Sequence, residues 1–245
     1  MRVEFKNILC ATDFSDFSNH TINYGVALAK EFEAKLFVSH VIDLSSVAIY
    51  GEFHLDPVGQ QNRIIEDADA QLKELTGDQP VSWEPLIAVG KPADEISRAV
   101  EEKDIDLVIT ATRGRSGLKR IILGSVTERL MRTLTCPLLV LNSPEHKFVS
   151  AADQVIKIEK ILVGCDFSPD SGQALKHALS LAQEFQAELH LTHVIEPPTQ
   201  PDLYKEYTPI SEEIQQDYHD LLTRKLKEMV PAEARYWCTP QTGLL

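Results

Sequence analysis

Arg113, Arg115, Lys119, Arg120, Arg129 and Arg132 crowd into one stretch, 111–132, beside a single acid, Glu128. The chain around them is acidic, with a formal net charge of −13. Gly114, Gly124 and Ser125 punctuate this stretch, between an apolar, strand-like run at 106–111 and helix-like sequence from Thr127 onward. A glycine-bearing loop that closes on Gly-Ser at a helix start presents backbone N–H groups to an anion. The cations beside it favour the same ligand charge, and a phosphate is the natural guest.

Other reactive side chains offer less. Cys10, Cys136, Cys165 and Cys238 show no metal-ligand or redox spacing. Three lie within or beside apolar runs and read as small buried hydrophobes in a reducing compartment. The histidines form no ligand group, and no Ser-His-Asp or Cys-His pattern follows from sequence order. His40 and His193 recur at one repeat position, which points to a structural role.

Composition narrows the class. With 245 residues, 43% of them hydrophobic, the chain can build one large domain or two ordinary ones. Overall acidity argues against sequence-independent nucleic-acid binding, which needs a broad basic face. No apolar run is long enough to span a membrane. The amino end lacks the apolar core of a secretion signal, so a cytoplasmic location is expected.

The chain repeats itself. Asn7-Ile-Leu-Cys-Ala-Thr-Asp-Phe-Ser15 matches Lys160-Ile-Leu-Val-Gly-Cys-Asp-Phe-Ser168, Leu28–Leu36 matches Leu181–Leu189, and Ser39–Asp43 matches Thr192–Glu196. Asp13 and Asp166, Phe32 and Phe185, and His40 and His193 are each 153 residues apart. An ungapped match of this length indicates duplication. The first copy is expected over 1–142 and the second over 155–245, with a polar connector containing Pro144 between them. Trp237 falls near the place of Trp83, so the second copy is expected to lose its pattern from the third strand. It lacks any counterpart of the Arg113–Ser125 segment.

Strand and helix patterns alternate in the first copy. Strands are predicted at Ile8–Ala11, Leu36–Ile42, Val81–Val89, Leu107–Ala111 and Pro137–Leu141. Helices are predicted at Ser18–Phe32, Gln61–Leu75, from Pro92, and at Ser125–Thr133, with Gly51, Pro57 and Gly59 in a long loop. This order predicts an α/β fold with a mainly parallel sheet, whose ligands sit beyond the strand carboxyl ends. Asp13 and 111–114 both follow strand ends, so strands one and four must be neighbours if they share a ligand.

These residues resemble the universal stress protein family in its tandem form. The family motif is Gly, two residues, Gly, nine residues, then Gly-Ser or Gly-Thr. Gly114 and Gly124-Ser125 match its second half, and Ala111 stands at the first glycine position. Asp13, His40-Val41, Gly90-Lys-Pro92 and Cys136-Pro137 support the likeness. The resemblance implies a five-stranded parallel sheet of order 3-2-1-4-5 with helices on both faces, duplicated, with the second copy short. It further implies ATP at the sheet crevice, with Mg²⁺ possible alongside. Asp13 is then expected near the ribose or adenine, and Ala11, Thr12 and Val41 around the base. Ala111 and Gly114 are expected at the phosphate turn, and Gly124, Ser125 and Val126 over the phosphates. Ala111 is expected in extended geometry, since it continues a strand.

The implied function is an ATP-binding regulator of the stress response, with turnover slow or absent because no general base is evident. The alternative is an interaction module of the same fold without nucleotide. An ATP-cleaving enzyme would need catalytic residues that the sequence does not display. The family also implies a homo-oligomer, a dimer through Pro137–Leu141. In the second copy, loss of strands four and five leaves strand one as an apolar edge. That edge is expected to be covered by copy one or another chain, unless the chain is a truncated product.

Overall fold

The computed structural model describes residues 3–44, 57–112, 123–142, 148–149, 154–195, 212–238 and 240–245. It contains two compact units, Glu4–Ile156 and Lys157–Leu245, the latter joined by Val3, whose amide donates to Ser180 Oγ at 2.6 Å.

The first unit runs β1 (Asn7–Ala11), α1 (Asp16–Phe32), β2 (Lys35–Ile42), α2 (Pro57–Thr76), β3 (Trp83–Val89), α3 (Pro92–Glu102), β4 (Leu107–Ala111), α4 (Ser125–Thr133) and β5 (Leu138–Leu141). Its sheet has the order β3-β2-β1-β4-β5, every pair parallel, as the resemblance implied. A parallel sheet is covered on both faces, which is why its central strands are apolar without alternation. Ile8, Leu9 and Cys10 are all fully buried. On the Leu9 face lie Ala93, Ile96 and Val100 of α3 and Leu130 of α4. On the Cys10 face α1 comes so close that a Cβ on Gly25 would stand 2.2 Å from Cys10 Sγ. No other residue type permits that approach.

Two helix starts moved, and β3 begins at Trp83 rather than Val81. α2 begins at Pro57, four residues before the predicted start. Proline suits the first helical turn, where its missing N–H costs nothing. α1 begins at Asp16, because Ser15 caps it by accepting from the Ser18 amide at 3.3 Å.

The second unit runs β6 (Lys160–Gly164), α5 (Pro169–Phe185), β7 (Glu188–His193), α6 (Glu212–Met229), a 3-10 helix (Ala232–Tyr236) and β8 (Gln241–Leu244). Its sheet has the order β6-β7-β8, again parallel. Local geometry repeats with the sequence. Ser168 caps α5 as Ser15 caps α1, and Glu33 and Gln186 end their helices in left-handed conformation. Phe14 and Phe167 take φ of 63° and 64° in the turns before them. The expectation about Trp237 fails. It follows the 3-10 helix rather than lying in a strand, and the third strand is present as Gln241–Leu244. Phe37 pairs with Glu84, whereas its counterpart His190 pairs with Gln241. The 3-10 helix region adds residues, so the constant offset breaks down there.

Candidate functional site

β1 and β4 are neighbours, with Ile8 opposite Leu107 and Cys10 opposite Ile109. The two strands therefore finish together at the carboxyl edge, where the chain order reverses and open α/β sheets bind ligands. A cleft of about 240 Å³ opens there. The first turn contributes Ala11, Thr12 and Asp13, β2 contributes Ser39 and Val41, and β4 with the next residue contributes Thr110, Ala111 and Thr112. The start of α4 closes it with Gly124, Ser125, Val126 and Thr127. Of the residues singled out from the sequence, Gly114 lies outside the described residues, as do Arg113, Arg115, Lys119 and Arg120. The other eight converge on the cleft.

Asp13 is held by hydroxyls and an amide. Its Oδ1 accepts from the Ser15 amide at 3.1 Å, from Ser15 Oγ at 2.6 Å and from Ser18 Oγ at 2.6 Å. Asp13 is thus not the helix cap; it braces the residue that is. Thr12 is buried and its side chain is committed to polar partners. Its Oγ1 donates to Asn19 Oδ1 at 2.7 Å and accepts from the Phe14 amide at 3.0 Å. The Thr12 side chain thus shapes the turn, while the residue itself lines the cleft.

His40 ties this turn to β2. Its Nδ1 lies 2.9 Å from the Thr12 carbonyl, an acceptor only, so Nδ1 carries the hydrogen. Its ring packs on Phe14 with centroids 4.1 Å apart. His193 repeats both contacts in the second unit, with Cys165 O at 2.7 Å and Phe167 at 4.6 Å.

Across the cleft, Ala111 ends β4 in extended conformation, and its methyl group requires no strained backbone. Gly124 is the N-cap of α4 and supplies no side-chain cap. The amides of Ser125, Val126 and Thr127 belong to the first turn, whose N–H groups have no intrahelical acceptor. The helix dipole adds positive potential at that end. The Gly124 amide donates to Thr112 O at 3.0 Å, and Thr127 Oγ1 donates to Ala111 O at 3.0 Å. These two bonds lock the helix start onto the strand end. Two of the six basic residues turn elsewhere. Arg129 pairs with Asp94 of α3 at 2.6 Å and Arg132 with Glu128 at 2.8 Å.

Ser18, Thr112 and Thr127 were not singled out from the sequence. The repeat held a signal for Ser18, because Ser171 follows Asp166 at the same spacing. Thr127 gave no signal, since its role depends on where α4 meets β4. In the second unit Asp166, Ser168, Ser171 and His193 recur, but among the described residues nothing corresponds to β4 or α4.

A parallel sheet of this order, with a crevice between an acid-bearing turn and an uncapped helix start, defines an open, doubly wound α/β domain. The universal stress protein family model matches residues 4–142 and 157–236, and the chain belongs to that family. It is 32% identical over 145 residues to universal stress protein MJ0531 of Methanocaldococcus jannaschii, covering 58% of this chain and 85% of that one. It is 33% identical over 149 residues to YxiE of Bacillus subtilis, covering 56% of this chain and 98% of that protein. Among solved structures, MJ0577 of M. jannaschii superposes with a TM-score of 0.50 at 27% identity, over 59% of this chain and all of its own. A universal stress protein from Archaeoglobus fulgidus shares the fold across 98% of this chain and 78% of its own, with a TM-score of 0.62 at 20% identity.

Proposed function

We propose that the first unit binds ATP and that the protein acts as a nucleotide-responsive regulator in the stress response. One observation carries this reading: the uncapped start of α4, with its amides and the Ser125 hydroxyl, opens onto the same cleft as Asp13. The first feature suits a phosphate chain and the second suits ribose hydroxyls, whose O–H groups donate to a carboxylate. Ala11, Thr12 and Val41 border the space left for the base. Arg113, Gly114 and Arg115 join the phosphate side in this proposal. Each charge-assisted hydrogen bond contributes about 1.5–3 kcal/mol. Several of them support micromolar affinity once the costs of association are met.

Mg²⁺ is carried by the triphosphate in this reading. Among the described residues no group of three or more His, Cys, Asp or Glu could hold a metal alone, and Asp13 is the one acid on the cleft. Asp13 Oδ1 already accepts three hydrogen bonds, which makes it a poor general base. In this reading the protein's role is to bind ATP, with turnover slow or absent. A cytoplasmic setting fits four free cysteines, three of them buried. No described helix is long and apolar enough to cross a membrane. β5, an edge strand of the first sheet, is the place for the dimer contact that the family implies.

Acid release of bound nucleotide from freshly purified protein, read by mass spectrometry, tests this proposal. Adenine nucleotide in near-stoichiometric amount supports it. Protein that carries none, and takes up none on incubation with ATP, favours the interaction module without ligand.

A further inference from the structure

Ser39 is 4% exposed, yet among the described residues its hydroxyl has no hydrogen-bond partner. Its register explains where the side chain points. Ser39 lies opposite Ala11 of β1 and Leu86 of β3, and both of those pack in the cluster that α3 and α4 cover. Residues in register share a face of the sheet, so Ser39 turns toward α3. There it lines the cleft with Val41, two residues on, and with Pro92 and Ile96. Its backbone is fixed, because its carbonyl accepts from the Thr12 amide at 2.9 Å.

This end of the cleft is otherwise apolar. Ala11, Val41, Pro92 and Ile96 carry no polar side-chain atom, and the Thr12 hydroxyl is committed to Asn19 and Phe14. Thr110 and Thr112 also lack side-chain partners among the described residues, but they stand on and just after β4, beside the start of α4. β2 and β4 are separated by β1, so Ser39 is two strand spacings, about 10 Å, from that side. A buried hydroxyl left unpaired is destabilising, and native proteins give such groups a partner. Thr76 Oγ1 is the described hydroxyl sealed away from every partner; that of Ser39 opens on the cleft, where a ligand can reach it.

We propose that Ser39 Oγ hydrogen-bonds the base of the bound nucleotide and is a specificity-determining residue of the cleft. The inference rests on the ATP reading above and adds to it the side chain that reads the base. Across the sheet, Ser39 on β2, Asp13 after β1 and the start of α4 beside β4 stand in the order base, ribose, phosphate. A hydroxyl both donates and accepts, so it can meet a ring nitrogen or an exocyclic group on the base edge. Apolar walls accept any flat ring; the few polar groups of a pocket set its orientation and its selectivity. A ligand that leaves this hydroxyl unpaired is then rejected.

Ser39→Ala removes one oxygen and tests the proposal by calorimetric titration. The variant is expected to keep the circular dichroism of the wild type and to bind ATP about five- to tenfold more weakly. Inorganic tripolyphosphate, which has no base, is expected to bind both proteins alike. In crystals of the wild type grown with ATP, Ser39 Oγ is expected within about 3.2 Å of a nitrogen of the base; should Ser39→Ala fail to fold, this distance decides. Equal ATP affinity in variant and wild type overturns the inference and leaves the ATP reading standing. Equal weakening toward ATP and tripolyphosphate also overturns it, because the effect then travels through the fold to the phosphate side. A wild type that binds no ATP removes the ATP reading and this inference with it.

Discussion

The Gly124 amide donates to the Thr112 carbonyl at 3.0 Å, and a Cβ placed on Gly124 would stand 3.0 Å from that same oxygen. The backbone of Gly124, with φ of −63°, suits any residue, so the glycine is there for closeness. A side chain at this point must shift α4 against β4 and intrude on the cleft. Gly124→Val is expected to abolish ATP binding while the far-ultraviolet circular dichroism stays that of the wild type. Unchanged affinity in this variant, measured by calorimetric titration, would remove α4 from the site.

Asp13 braces the turn, and one substitution can separate that from the ribose contact proposed for it. In Asp13→Asn the Oδ1 still accepts from Ser15 and Ser18, so the turn survives, but the charge is gone. Loss of one charge-assisted bond to ribose costs about 1.5–3 kcal/mol, roughly a tenfold to hundredfold drop in ATP affinity. Asp13→Ala removes the brace as well and is expected to lower stability in urea. Equal ATP affinity for Asp13→Asn and wild type would confine this carboxylate to the turn.

Much of this was legible in the residues. Strand order followed from the resemblance, and duplication followed from one constant spacing running through Asp13, Phe32 and His40. Glycines beside a strand end, within a basic stretch, pointed to the cleft. What stayed hidden depends on contacts between distant segments. Thr127 matters because its hydroxyl reaches Ala111 O, and nothing near Thr127 in sequence announces that. Arg129 counted among the basic residues of that stretch but pairs with Asp94, a carboxylate that α3 brings alongside α4. Trp237 read as the mark of a lost strand, because a fixed offset takes no account of an added 3-10 helix.

The two histidines give a matched pair of tests. His40→Phe and His193→Phe keep a ring against Phe14 or Phe167 but lose the donor to a backbone carbonyl. Each is expected to cost about 1 kcal/mol in urea unfolding, the net worth of one hydrogen bond. Only His40→Phe should also weaken ATP binding, because only its turn carries a cleft residue. Equal loss of affinity in both variants would contradict a site confined to the first unit.

Acid should reach the second unit through Asp166. Hydrogen bonds from Ser168, chiefly, with the Ser168 amide at 2.9 Å, hold its carboxyl down to about 2 from an ordinary 3.8. The group is lowered on folding, so its stabilising effect is complete above the ordinary value and is lost as pH falls from about 4 to about 2. Asp166→Asn should therefore unfold with less dependence on pH than wild type across that window, and match its slope at neutral pH. Parallel slopes throughout would show that the turn does not depend on the charge.

Nucleotide binding in the cleft between Asp13 and the start of α4 is tested most directly by isothermal titration of the folded wild-type chain with ATP and Mg²⁺. The expected result is saturable heat with one site per chain and a micromolar dissociation constant. No heat at millimolar ATP, from protein whose circular dichroism shows it folded and whose bound nucleotide has been removed, would contradict it.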